Sequence, residues 1–322
     1  MKLDYLHNNL IEEIRERFPQ KAILANKLAD ILSIEKEAVY RRLRKEVPFT
    51  FEEVSIISQT FDISLDNLVK LDNKHSRSAF QLQLVNLMEP QEIDYYMMNE
   101  YIELYHSVIN DKHSVATTST NIIPETILIG FKALWSFYLF KWHYHYKNKR
   151  TTKTYSEVVA PQQVFDTNEE LFNLAKGIGK SYHILDHLTF SYIINDIKFF
   201  NSIGLVNKED VLILKKDLYN LLDYLEHIAT TGVYEETGKK VFLYISDLNI
   251  DSNYFYLDTK NIKISMLNTF IVSSAASYDE NTFNFMKNWI NSVIRISNLI
   301  TVTGEKQRII FFNSQRQLVD EL

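Results

Sequence analysis

The stretch from Leu24 to Val69, LANKLADILSIEKEAVYRRLRKEVPFTFEEVSIISQTFDISLDNLV, constrains this chain more than any other part of it. Leu24, Leu28, Ile31 and Leu32 recur at intervals of three and four, so they line one face of a helix. The pattern breaks at Ser33, Ile34 and Glu35, which leaves room only for a tight turn. Val39 and Leu43, four apart, then give a second helix its inner face. Ala29 is the small residue that two helices joined so closely require where they approach, and Ile34 is placed to plug the turn. Lys36, Glu37, Tyr40, Arg41 and Arg44 are left on the outer face of the second helix.

Two helices in this arrangement form a helix-turn-helix, in which the second helix enters a DNA major groove. The chain carries a net charge of −6, which alone argues against a phosphate-rich partner. Between Lys36 and Lys45, however, Lys36, Arg41, Arg42, Arg44 and Lys45 face a single acid, Glu37. Lys36, Tyr40 and Arg41, with Glu37 beside them, are placed to read bases, and a bidentate Arg on guanine discriminates by about 1–3 kcal/mol. Arg42, Arg44 and Lys45 are placed to hold phosphates, which fixes register without reading sequence. The same side chains could form a solvated face on a protein-docking bundle. Periodicity, turn and basic face coincide in one place, which favours DNA.

The downstream residues add a resemblance. Pro48, Thr50, Val54, Ile57, Phe61, Ile63, Ser64, Leu65, Asp66 and Leu68 stand as in the Cro-like (XRE-type) repressor domain, where a Pro-containing loop leads to a fourth helix and the last helix carries an SLD-L pattern. About residues 20 to 70 are covered, and the N-terminal region is similar to that of regulators grouped under the name BetR. The resemblance implies a sequence-specific, DNA-binding transcriptional regulator with double-stranded DNA as partner. It has departures: Ser33 replaces the usual turn glycine, Glu35 or Lys36 stands where Gln or Ser often opens the second helix, and Arg42 takes a place that is often aromatic or apolar. One such helix gives little specificity, whereas two spaced by roughly 34 Å read a palindrome, so a homodimer is expected.

The remaining three quarters of the chain carry no comparable signature. Its 322 residues suggest two or three domains, and the polar segment Leu71 to Ser78 divides residues 1–72, the DNA-binding unit, from residues 79–322, a dimerisation and effector-sensing domain. With 20 Phe and 19 Tyr against 7 Gly and 5 Pro, long elements with few tight turns are predicted. The expected fold is mainly α: the N-terminal bundle, then a large, mostly helical domain with a small antiparallel β insert between Lys240 and Ser274. Asn110 to Asn121 is read as a loop, and Asn168–Lys180 and Tyr182–Ser202 as helices. NYFYLD, at Asn253 to Asp258, and the helix around Trp289 are candidates for the dimer surface because they are aromatic.

There are no cysteines, which excludes disulfides, thiolate nucleophiles and cysteine-ligated metals. The first 18 residues carry acids through an apolar pattern and do not read as a signal peptide, and Ile127 to Phe140, interrupted by Lys132, falls short of the roughly 20 residues that span a bilayer. A cytoplasmic protein without membrane contact is the expectation. Three weaker signals remain. Gly177-Ile-Gly179-Lys180-Ser181 has part of a phosphate-binding loop but Leu174 where its first glycine belongs. His183 and His187, four apart on a helix, would form a metal pair with Asp196 as a third ligand. Lys141 to Lys147, with Lys149, Arg150 and Lys153, interleaves bases and aromatics as an auxiliary DNA contact could. A helix break accounts for the first, packed or solvated imidazoles for the second and lysines snorkelling over an aromatic core for the third, so no metal and no cofactor are expected. No catalytic pattern stands out, and an enzyme is not expected. A small molecule or peptide is the expected effector. The competing reading is a bundle that docks or targets a C-terminal enzyme or interaction scaffold.

Overall fold

The computed structural model describes residues 3–18, 21–61, 63, 65, 68, 80–146, 153–269 and 273–322. The chain divides into two compact units, Met1–Arg77 and Ser78–Leu322. Leu71–Ser78, Ser64 and Asp66 lie outside the described residues, as do Lys147, Lys149 and Arg150.

The first unit contains α1 (Leu3–Arg17), α2 (Lys21–Leu32), α3 (Lys36–Leu43) and α4 (Phe51–Phe61). Leu24, Leu28, Leu32, Val39, Leu43, Val54 and Ile57 are buried in one core, with Ile31, Ile34 and Tyr40 packed against it. Ala29 is also buried, as close approach of α2 to its neighbours requires. The turn after α2 is a Schellman arrangement: the Ser33 amide donates to the Asp30 carbonyl at 3.4 Å and the Ile34 amide to Ala29 at 3.2 Å. It places Ser33 at φ 52°, the left-handed region in which glycine is unstrained. The departure at Ser33 is therefore a strained residue performing a glycine's task. Ser33→Gly is expected to stabilise this unit by about 0.5–1 kcal/mol, the strain relieved outweighing the entropy glycine adds to the unfolded chain. Calorimetric melts of the full chain check this; a lower melting temperature would contradict it.

The second unit overturns the mainly α expectation, because its centre is a mixed sheet of nine strands among the described residues. The strands are β1 (Gln81–Gln83), β2 (Val115–Thr120), β3 (Lys180–Asp186), β4 (Val233–Tyr234), β5 (Lys239–Ser246), β6 (Tyr254–Asp258), β7 (Lys263–Thr269), β8 (Ser273–Ser277) and β9 (Ser297–Leu299). Their order is β1-β8-β7-β6-β2-β3-β5-β4, with β9 also pairing β5. β2, β3 and β5 run parallel, with Thr117 opposite Tyr182 and Ile184 opposite Tyr244. β6, β7, β8 and β1 extend the β2 side antiparallel. The expected insert at Lys240–Ser274 is thus half of a sheet whose other strands hid in a presumed loop and a presumed helix. β2, VATTST, reads as polar, yet Thr117, Thr118, Ser119 and Thr120 are all buried. β3, KSYHILD, is covered on both faces and so lacks the alternation that marks a half-exposed strand.

The helices are α5 (Glu92–Val108), α6 (Glu125–Leu128), α7 (Lys132–Tyr146), α8 (Gln162–Ala175), α9 (Thr189–Ser202), α10 (Lys208–Thr231), α11 (Glu280–Arg295) and α12 (Glu305–Asp320). Leu185, Val241, Leu243 and Ile245 point from the sheet into one core with α7, α9, α10 and α12. Ile184 and Tyr256 point the other way, against Phe283, Met286 and Ile290 of α11. Asp217 of α10 accepts from the Ala133 and Leu134 amides at 2.9 and 3.2 Å, which fixes the first turn of α7. Among the described residues no helix is long and apolar enough to cross a membrane.

Candidate functional site

In the first unit the outer face of α3 is held from behind by polar as well as apolar contacts. Arg42 donates from Nε and Nη2 to both carboxylate oxygens of Glu53 on α4, at 2.9 and 2.7 Å, and from Nη1 to the Ala38 carbonyl. Glu53 also accepts from the Thr50 amide while its own amide donates to Thr50 Oγ1, a capping box at the start of α4. Burial opposes ionisation of Glu53, but the bonds from Arg42 and Thr50 outweigh it and hold its pKa below the ordinary value. From α1, Arg15 donates to the carbonyl of Leu43, the last residue of α3, at 2.8 Å. Arg42 is therefore a half-buried strut between α3 and α4, which explains a charge at a place that is often apolar in the Cro-like pattern.

Lys36, Glu37, Arg41, Arg44 and Lys45 are exposed and Tyr40 is half-buried. Arg44 meets Glu46 at 2.7 Å and Glu37 at 2.9 Å, and Arg41 lies 3.8 Å from Glu46. The hydrogen bond from Arg44 holds the Glu46 carboxyl below its usual range. With Arg42 turned inward, four exposed cations stand beside three exposed carboxylates, Glu35, Glu37 and Glu46, a weaker positive field than the spacing predicts. Lys45 itself adopts φ 66° and closes α3, its amide donating to Arg42 while the Glu46 amide donates to Arg41.

The second unit holds a partly open chamber of about 130 Å³ between the antiparallel half of the sheet and α5, α6 and α8. Its walls include Met98, Tyr101, Tyr105, Trp135, Phe255 and Leu257. An outer cleft of about 630 Å³ shares Val85 and Ser273 with it and reaches Trp142 and Tyr146, whose rings stack at 4.8 Å. Polar groups are few. Tyr101 Oη bonds Ser274 Oγ at 3.1 Å. The buried Asn168 Nδ2 and Trp135 Nε1 have no partner among the described residues. Glu125, on the first turn of α6 beyond the carboxyl end of β2, lines the chamber and keeps exposed surface although protein atoms crowd around it. Crowding by protein atoms, which hinders solvation of the charge, pushes its carboxyl up to about 7. Open α/β sheets place ligands at the carboxyl ends of strands.

Tyr105, Thr118, Thr126 and Phe255 also line a smaller space of about 10 Å³ with His183, Tyr224 and Tyr234. Here the structure corrects the helical placement of His183 and His187. His183 lies buried on β3, with Nε2 3.0 Å from Tyr234 Oη, and His187 falls in the turn beyond. Asp186 accepts from the Leu188 and Ile250 amides, and Asp196 pairs with Lys141. No group of three metal-ligating side chains forms among the described residues. Gly177 to Ser181 leads from α8 into β3, the reverse of a strand-to-helix phosphate loop. Gly179 is needed because a Cβ there would come within 2.8 Å of the Ser114 carbonyl. Lys141 also lies over the Tyr138 ring, as a packed rather than a DNA-facing base would. NYFYLD forms β6 inside the sheet with Tyr256 and Leu257 buried, whereas Trp289 is half exposed on α11.

No family model, curated protein or solved structure matches this chain. The chamber residues escaped sequence reasoning because they come from segments far apart, joined only by the sheet order.

Two outcomes are expected. Arg42→Ala leaves Glu53 without its bidentate partner and should destabilise the first unit by about 1.5–3 kcal/mol, read by calorimetry; an unchanged melt would contradict the strut. In the second unit, the folded chain keeps a proton on Glu125 that the unfolded chain releases, so this group lowers stability as pH rises from about 4.5 through about 7. His183 acts on the acid limb: burial lowers its pKa to about 4, and the stability present above about 6.5 is lost as pH falls through about 4. All three tryptophans, 135, 142 and 289, lie in the second unit, so their fluorescence follows its melting alone. Glu125→Gln should raise the melting temperature near pH 8 and flatten its fall above pH 5; a parallel curve would contradict the assignment.

Proposed function

We propose that this protein is a sequence-specific DNA-binding transcriptional regulator that acts in the cytoplasm as a homodimer on a palindromic operator. The observation that carries this reading is the row Lys36, Arg41, Arg44 and Lys45, turned outward on a helix whose inner side is pinned by Val39, Leu43 and the Arg42–Glu53 fork. Lys36, Glu37, Tyr40 and Arg41 face the bases, and Arg44 and Lys45 take phosphates. Exposed ion pairs contribute only about 0–1 kcal/mol, so Arg44 can exchange Glu37 and Glu46 for phosphate oxygens at small cost. In this reading the second unit dimerises and receives an effector.

The test is selection from a random duplex pool, followed by salt titration of the enriched site. A palindrome is expected, with Arg41→Ala losing about 1–3 kcal/mol of discrimination at one base pair of each half-site. Glu46→Gln frees Arg41 and leaves Arg44 with Glu37 alone, so it should tighten binding to all sequences and steepen the salt dependence by about one phosphate. No enrichment, or an Arg41→Ala protein as selective as the wild type, would overturn the reading. The near balance of charge around α3 supports a second one, in which the bundle docks a protein and targets a C-terminal enzyme or scaffold. Binding of duplexes that ignores both substitutions would favour it.

A further inference from the structure

The chamber of the second unit is chemically lopsided. Glu125 is the one charged side chain lining it, and no Lys, Arg or His stands among its described walls. Its carboxyl has no hydrogen bond or ion pair among the described residues, and crowding by protein atoms is what shifts its titration, so no cation among the described residues lies close enough to stabilise the ionised form. An ionised carboxylate in such a place is costly unless something brings a counter-charge. Around it stand the rings of Tyr101, Tyr105, Trp135 and Phe255, whose faces attract cations and whose bodies accept an apolar group. An anionic ligand would meet a like charge and no donor of opposite charge.

From these residues we infer that the chamber binds a small organic amine, with its ammonium against Glu125 and its apolar body between the aromatic walls. The volume of about 130 Å³ limits that body: an apolar cavity of about 150 Å³ holds a benzene ring. An ammonium on a single ring or a short branched chain fits, and longer groups would extend through the outer cleft past Trp142 and Tyr146. The buried Asn168 Nδ2 at the wall lacks a partner among the described residues and can donate to a hydroxyl or carbonyl on the same ligand after a small rotation.

The inference gives chemistry to the effector role proposed for the second unit, but its test does not depend on DNA. Benzylamine, benzyl alcohol and benzoate have nearly the same shape and differ in charge. Their binding to the full chain is measured by calorimetry near pH 8, without DNA, and checked by the shift in tryptophan-detected melting. Benzylamine is expected to bind at least tenfold more tightly than benzyl alcohol, with benzoate weakest. Glu125→Gln should bring benzylamine down to the level of the alcohol and leave the alcohol unchanged. The comparison among ligands on the wild-type chain holds even if the variant fails to fold. Equal affinity for amine and alcohol, binding of benzylamine that survives Glu125→Gln, or no binding of any of the three would overturn the inference. A protein that binds benzylamine but enriches no duplex keeps this inference and loses the regulator reading; the reverse result loses only this one.

Discussion

The fork between Arg42 and Glu53 decides what α3 can present to a partner. It joins two helices through a planar guanidinium matched to a carboxylate, and the same carboxylate closes the cap of α4 through Thr50. One basic residue is withdrawn from the surface, and the orientation of the others is fixed. Arg15 adds a second polar tie by satisfying the carbonyl at the end of α3, where helices otherwise leave acceptors open. Val39 and Leu43 alone would allow the helix to roll on its apolar stripe; the directional bonds resist that rotation. A helix that reads base edges needs this kind of fixed support.

The second unit depends on a different constraint, the burial of β2 and β3 at the centre of the sheet. Where the parallel trio gives way to the antiparallel strands, α5, α6 and α8 leave a space over β2, β6 and β7, and Glu125 stands at its end. The chamber is thus a consequence of topology. Its acidity and its aromatic walls are features of sequence, and they give the space a preference among ligands.

The helices α2 and α3 and the turn between them were legible because everything that defines them is local. Spacing of Leu24, Leu28, Val39 and Leu43 gives the faces, and the break at Ser33 gives the turn. The sheet was not legible for the opposite reason. β2 is built from Thr and Ser, which resemble loop residues until their hydroxyls are seen buried between neighbouring strands, and β3 was absorbed into the helix that follows it. Misreading β3 also produced the metal pair, since His183 and His187 share a side only if the segment is helical. Arg42 and Glu53 are eleven residues apart, on different helices, and no spacing rule links them. The chamber needed segments from Val85 to Ser274 to be brought together, a long-range outcome that single-sequence periodicity does not encode.

The claim that α3 lies in a DNA groove is tested most directly by placing a cleavage reagent at its entrance. The chain has no cysteine, so Glu35→Cys, at the exposed start of α3, accepts a DNA-cutting chelate at that position alone. On the selected duplex, the account predicts two symmetric clusters of cuts about one helical turn apart, each facing the major groove. Diffuse cutting, or none on a duplex that the protein binds, would show that α3 is not the element that reads DNA.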